Sequence, residues 1–267
     1  VRRRRWRQGK PAMNQVRLEV QDGVGIVTLD RPPVNATGRA LRQELTALFD
    51  ALPDRDDVRA VVLTGAGKVF CAGADIKERT ELTGAPGEYA MLNRLAREMF
   101  YAVLECPKPV VAAVNGAALG AGMALALCCD ILVASDEAIF GMPEIDVGLA
   151  GGVKYLQRHL TPSKLRRLLL TGQRIPAREL YRLGVLEACV PRERVMDEAL
   201  AIAREIAAKS PIAIRMLKES MVAVENLSLR DGYRQEQNVT LAMSRTQDAA
   251  EAQRAFVEKR APVFVGR

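Results

Sequence analysis

Apolar and polar positions alternate from Val16 to Asp30, "VRLEVQDGVGIVTLD", around a central glycine turn. A period of two broken by a turn predicts a β-hairpin. The proline-broken "RPPVNAT" then predicts a loop. Over Gly38–Leu52 the period lengthens. Leu41, Leu45, Leu48 and Leu52 recur at helical spacing, with Thr37 placed as the cap. Short, wholly apolar runs follow: "RAVVLTG" at 59–65, "PVVAAVNG" at 109–116 and "ILVAS" at 131–135, with "AIF" as a possible short fourth. Such runs predict buried strands. Residues 66–80 predict a loop, and 88–105 predict a helix with Met91, Leu95, Met99 and Val103 on one face. Strands alternating with helices imply an α/β fold with parallel strands and crossover connections.

Beyond residue 152 helical spacing dominates. Ser210 and Pro211 form a helix start, serine as cap and proline as first residue, and Ile214, Leu217, Met221 and Val224 share the face that follows. Residues 247–260 predict a last helix, capped by Ser244 or Thr246. The pattern divides the chain into a basic extension at 1–12, expected to be disordered, an α/β core at 13–205 and a helical region at 206–267.

Composition changes this picture little. With 49% hydrophobic and 27% charged residues, the chain is an ordinary globular protein. The longest weakly polar stretch, Val110–Cys129, is interrupted by Asn115, Gly116, Gly120 and Gly122, and fits a strand, loop and helix better than a membrane span. The net charge of +7 is concentrated in "VRRRRWRQGKPA"; subtracting its six cations leaves +1. The high isoelectric point therefore says little about partners. No apolar segment of the secretory type follows this head. The five cysteines are odd in number and show no metal-binding spacing, so reduced thiols, a cytoplasmic-type compartment and no metal are expected. The one histidine, His159, falls at a predicted helix end.

Two segments share a design. "VVLTGAGKVFCAGADIKE" and "VVAAVNGAALGAGMALA" each carry a buried strand into a small-residue loop and on to a helix. Neither has the glycine order of a dinucleotide fingerprint or the G-K-[ST] of a phosphate loop. Two backbone N–H groups, one from each loop, converging on one oxygen would stabilise a developing oxyanion. Glycines that only pack helix against sheet account for the same residues, and composition alone favours packing. The third notable segment is "FGMPEIDVGLAGG", where Glu144 stands in apolar, glycine-rich company. Its roles remain a base, a buried partner or an ordinary loop acid.

Taken in order, "TLDRPPVNA", the two glycine loops, "AIFGMPEIDVGLAGG", "LLLTGQRIPARELYRLGVLEACVP" and "AFVEKRAPVF" resemble the crotonase, or enoyl-CoA hydratase/isomerase, superfamily from about Val16 onward. The resemblance implies a spiral core of ββα turns with a helical C-terminal trimerisation region, as homotrimers or dimers of trimers. It implies an acyl-CoA thioester substrate, as in fatty acid β-oxidation, with coenzyme A entering as part of the substrate and no separate cofactor. By position, the N–H groups of Ala74 and Ala121 would hold the thioester oxygen and Glu144 would move the proton. Ala72, Gly73, Asp75, Ile76 and Gly120 would line the CoA channel. Phe256 and Lys259 would close it, often in a neighbouring subunit.

The chain departs from that pattern where hydratases carry a second glutamate: Ala124 stands there. Dienoyl-CoA isomerases would have aspartates at Ala124 and Gly152. A single glutamate looks most like Δ3,Δ2-enoyl-CoA isomerases, whereas a hydratase would need to recruit another acid. Asp146, two residues on in a segment expected to be extended, is the candidate. Where hydratases place a lysine near the CoA phosphates this chain has Pro33, which shifts that role toward Lys77 or Lys259. Other readings are a hydrolase or decarboxylase of a special acyl-CoA, a non-catalytic CoA-binding homologue, and an RNA-binding protein. The last is motivated by the arginine-rich head with Arg39 and Arg42, and opposed by the near-neutral body.

Overall fold

The computed structural model describes residues 15–267; the basic extension 1–12 lies outside them. The hairpin forms as β1 (Val16–Gln21) and β2 (Val24–Leu29), antiparallel, with Val16 opposite Leu29. The helix α1 (Arg39–Ala51) follows, buried through Leu41, Leu45, Leu48 and Phe49. Thr37 is not its cap. The N-cap is Gly38, and the buried Thr37 hydroxyl instead donates to the carbonyl of Gly73 at 3.3 Å.

Three turns of a spiral come next. In each, a long strand enters a central sheet, a three-residue strand steps into a second sheet, and a helical segment follows. The first is β3 (Ala60–Gly65), β4 (Val69–Cys71) and α2 (Ile76–Thr80), leading to α3 (Glu88–Leu104). The second is β5 (Val110–Val114), β6 (Ala117–Leu119) and α4 (Ala121–Leu127). The third is β7 (Ile131–Ser135), β8 (Ile139–Gly141) and a 3-10 turn, Pro143–Val147. The short helices α5 (Val153–Gln157) and α6 (Pro162–Thr171) precede β9 (Arg174–Pro176), α7 (Ala177–Arg182), β10 (Ala188–Val190) and α8 (Val195–Ala207).

The central sheet runs β1-β2-β3-β5-β7-β10 and the second β4-β6-β8-β9. The strands β2, β3, β5, β7 and β10 pair in parallel. Of these, β3, β5 and β7 are buried on both faces, which is why they read as unbroken apolar runs in the sequence. One core lies under α1, α3 and the second sheet; the other lies under α8. This is the spiral of ββα turns expected from the resemblance. The last three helices, α9 (Pro211–Val224), α10 (Leu229–Met243) and α11 (Gln247–Glu258), are capped by Ser210, Ser228 and Thr246. On α9, Lys218 is 3% exposed and its ammonium meets Asp130 at 2.7 Å, tying the helix to the start of β7. Leu217 and Met221 of the expected apolar face, by contrast, stand open to solvent.

One side chain ties the first spiral turn together. Asn35 is 2% exposed, and its amide donates to the carbonyls of Ala66 at 3.0 Å and Val69 at 2.8 Å, while its oxygen accepts from the N–H of Arg31. Its φ is +53°, a conformation asparagine tolerates better than alanine. Asn35→Ala is expected to lose about 2–4 kcal/mol of stability in urea denaturation. Asn35→Gly, which relieves the backbone but not the lost bonds, should recover only part of that.

Candidate active site

The two glycine loops leave neighbouring strands of the second sheet and arrive side by side. Gly73, at φ +101°, sits so close that a Cβ would lie 2.8 Å from the carbonyl of Leu119 and 3.5 Å from the nitrogen of Ala121. Only a glycine permits that approach. The carbonyl of Gly73 is taken by the N–H of Thr37 at 2.7 Å, which fixes the loop's orientation. The N–H groups of Ala74 and Ala121 have no acceptor among the described residues. Ala121 opens α4, where helix N–H groups lack intrahelical partners.

Both loops face a cavity of about 410 Å3. It collects most of the site residues expected from sequence: Ala72, Gly73, Ala74, Asp75, Ile76, Gly120, Ala121, Glu144 and Asp146 all line it. Phe256 and Lys259 do not. Phe256 is 85% exposed on α11 and Lys259 ends that helix, so within one chain they are not part of the site.

Glu144 sits on the 3-10 turn that ends the third spiral turn, with its carboxylate against the backbone of Gly120. A Cβ at Gly120 would fall 2.3 Å from Oε1, so the bare glycine makes room for the acid. Oε2 is buried and has no hydrogen-bond partner. Burial pushes the Glu144 carboxyl above the ordinary carboxylate range, while its own backbone N–H and the Arg79 cation pull weakly the other way. Facing this site, Ala124 is 2% exposed and offers only a methyl group, and Gly152, also on the wall, offers no side chain.

Asp146 reaches the cavity by another route than expected. The segment is a 3-10 turn, not an extended strand, so residues two apart do not share a side. Its carboxylate lies against Gly172, where a Cβ would be 2.9 Å from Oδ1. Asp75 has a structural task as well. It caps α2 by accepting from the N–H of Lys77 at 2.9 Å, and it pairs with Arg31. Burial pulls its carboxyl upward, but the hydrogen bond and charge of Arg31 outweigh this and hold it below the usual range.

Several cavity residues escaped the sequence reading. Arg42, Arg79, Tyr89, Leu92, Phe100 and Arg174 also line it, with the Arg79 guanidinium 5.6 Å from the Tyr89 ring centre. Their positions carry no local motif; they arrive from α1, α2, α3 and β9, and only the packing of these elements around the loops brings them together. Arg42, taken from sequence as part of a basic surface, is 7% exposed and unavailable to a nucleic acid. A second, largely apolar cavity of about 470 Å3 adjoins the first, sharing Met142, Glu144 and Leu149 and continuing along Leu165, Leu169 and Leu170.

The spiral α/β core, with loop N–H groups and a desolvated acid on one cavity, is the arrangement expected from the resemblance. Family-level comparison agrees: the profile of the enoyl-CoA hydratase/isomerase family matches residues 19–267. The chain belongs to this family, the crotonase superfamily of acyl-CoA-binding lyases and isomerases. It is 38% identical over 250 residues to a probable mitochondrial enoyl-CoA hydratase of Dictyostelium discoideum, covering 92% of this chain and 89% of that protein. It is also 38% identical over 242 residues to the (7aS)-7a-methyl-1,5-dioxo-2,3,5,6,7,7a-hexahydro-1H-indene-carboxyl-CoA hydrolase of Rhodococcus jostii, covering 90% and 93%. The crystal structure of an enoyl-CoA hydratase from Bacillus anthracis superposes with a TM-score of 0.91 at 32% identity, covering 95% of this chain and all of that one. No helix among the described residues is long and apolar enough to cross a membrane.

The raised carboxyl of Glu144 has a consequence for stability. The folded chain holds this proton to higher pH than the unfolded chain, whose glutamates titrate near about 4.3. Native stability therefore falls as pH rises from that range through the raised folded value. Glu144→Gln should be more stable than the parent at pH 7 in urea denaturation, with the difference vanishing below about pH 4. Equal stability at pH 7 would mean that the carboxylate is not desolvated.

Proposed function

We propose that the protein moves a proton on an enoyl-CoA thioester, with Glu144 as acid and base and the N–H groups of Ala74 and Ala121 holding the thioester oxygen. The observation that carries this is the unpaired, enclosed carboxylate oxygen of Glu144 in the same cavity as two amide donors without acceptors. A thioester carbonyl placed between those donors gains stabilisation as negative charge moves onto its oxygen. The carboxylate of Glu144 then takes a proton from the carbon next to the carbonyl, forming an enolate and a neutral carboxylic acid. The apolar surroundings favour that neutral form.

With Ala124 opposite, this single group serves most simply for isomerisation. Glu144 removes the C2 proton of a 3-enoyl thioester, the double bond shifts into conjugation, and the same proton returns to C4. Hydration is the second reading, supported by the hydratase named among the relatives; it would need Asp146, which lines the same cavity, to swing its carboxylate from Gly172 toward a water held by Glu144. Hydrolysis of a special acyl-CoA is a narrower alternative supported by the Rhodococcus relative. Leu92, Ala96 and Phe100 of α3 give the wall of the Glu144 cavity the apolar lining an acyl chain requires.

The same reading extends to assembly and compartment. Leu217, Met221, Tyr233, Leu241, Phe256 and Val257 are large apolar residues exposed on α9–α11. Such a surface fits contact with further copies of the chain, as trimer or hexamer, and would place Phe256 and Lys259 at a neighbour's CoA site. Five unpaired thiols suit a reducing, cytoplasmic-type compartment.

Two assays test the reading: 2-enoyl-CoA followed for hydration and 3-enoyl-CoA followed for conjugation. The parent should turn over at least one. Glu144→Ala should lower that rate by about 100-fold or more while acyl-CoA affinity changes little. Ordinary rates in this variant would exclude Glu144 as the base. An Asp146→Asn variant then separates the readings: hydration should fall and isomerisation should not.

A further inference from the structure

We propose that Arg42 is a specificity residue that binds a carboxylate at the far end of the acyl chain, so that the preferred substrates are CoA thioesters of dicarboxylic acids. This rests on the assignment of the cavity as the acyl-CoA site. Arg42 lies one turn into α1, is 93% buried by its 7% exposure, and lines the cavity that holds Glu144. Its Nη1 donates to the carbonyl of Leu92 on α3 at 3.1 Å. Its Nε is fully enclosed and has no partner. No acid stands within ion-pair distance of the guanidinium among the described residues, and residues 1–14 contain neither aspartate nor glutamate.

The acids nearest in charge to Arg42 are already engaged. Glu78 accepts from the N–H of Arg39 at 2.8 Å, at the start of α1, and Asp75 pairs with Arg31 and caps α2. Arg79 adds a second positive charge on the same wall. Burial makes the Arg42 cation harder to hold than in water. A buried cation is ordinarily paired, and a guanidinium fork matches a carboxylate geometrically. Arg42 lines the cavity, so a ligand held there is the partner available to it.

The position points to the acyl end of the ligand. Leu92, whose carbonyl Arg42 holds, and Ala96 and Phe100, at four-residue steps along α3, line the same cavity. An apolar chain running along α3 from the thioester would bring its end to the guanidinium. A terminal carboxylate would be neutralised there and a terminal methyl would not.

Binding measurements test this without requiring turnover. Saturated, unreactive acyl-CoAs of equal length, ending in a methyl or in a carboxylate, are titrated into the parent, Arg42→Met and Arg42→Lys by calorimetry. The parent should bind the carboxylate-ended series about tenfold or more tightly than the methyl-ended one. Arg42→Met should abolish or reverse that preference while keeping its affinity for the methyl-ended series. Arg42→Lys, which keeps the charge, should retain part of the preference and serves if the methionine variant fails to fold. Equal affinity for both ends in the parent, or an equal loss for both in the variants, would overturn the proposal and leave the acyl-CoA reading standing. Failure of both series to bind the parent would overturn that reading too.

Discussion

A carboxylate oxygen without a partner and two amide N–H groups without acceptors share one cavity. That combination is the constraint to which the rest of the fold answers. Unpaired polar groups in such a place are individually unfavourable, and a chain that only needed stability would have satisfied or removed them. Their coexistence requires the loops after β4 and β6 to meet without side chains between them, hence Gly73 against Leu119. It also requires the acid to arrive from a third element, hence Gly120 beneath Glu144. The parallel pairing of β4, β6 and β8 makes this geometry repeatable, because it places their exits side by side.

The apolar periodicity carried much of this information. The central strands are buried on both faces, so they appear as unbroken apolar runs, and the helix starts at Ser210 and Thr246 follow from side-chain capping that is local in sequence. The second sheet was less legible. Its strands are three residues long, too short for any period, and β4 and α2 fall within what reads as a continuous loop. Thr37 looked like a cap because threonine precedes the helical pattern, but its hydroxyl is drawn to Gly73 by a contact 36 residues away in sequence.

The site divides in the same way. Residues within the glycine loops and the "MPEID" segment could be placed by motif, and the structure gathers them around one cavity. The relation of Asp146 to Glu144 could not, because it depends on a 3-10 turn in place of a strand. Arg42 is the clearest case of non-local determination. In sequence it is one of two arginines on an amphipathic helix; only the packing of α1 against α3 buries it and brings it to the wall of the Glu144 cavity. Phe256 and Lys259 show the converse, since a single chain leaves them exposed and away from the site.

Under the proposed reading, a single carboxylate serves moving a proton better than holding water. The element that isomerisation and hydration would share is an enolate formed beside the thioester. Exchange of the C2 protons of a saturated acyl-CoA in deuterated water, followed by NMR, tests that element apart from any particular reaction. The parent should exchange those protons and Glu144→Gln should not. Exchange that persists in Glu144→Gln, or a parent that binds the thioester without exchanging them, would contradict the assignment of Glu144 as the base.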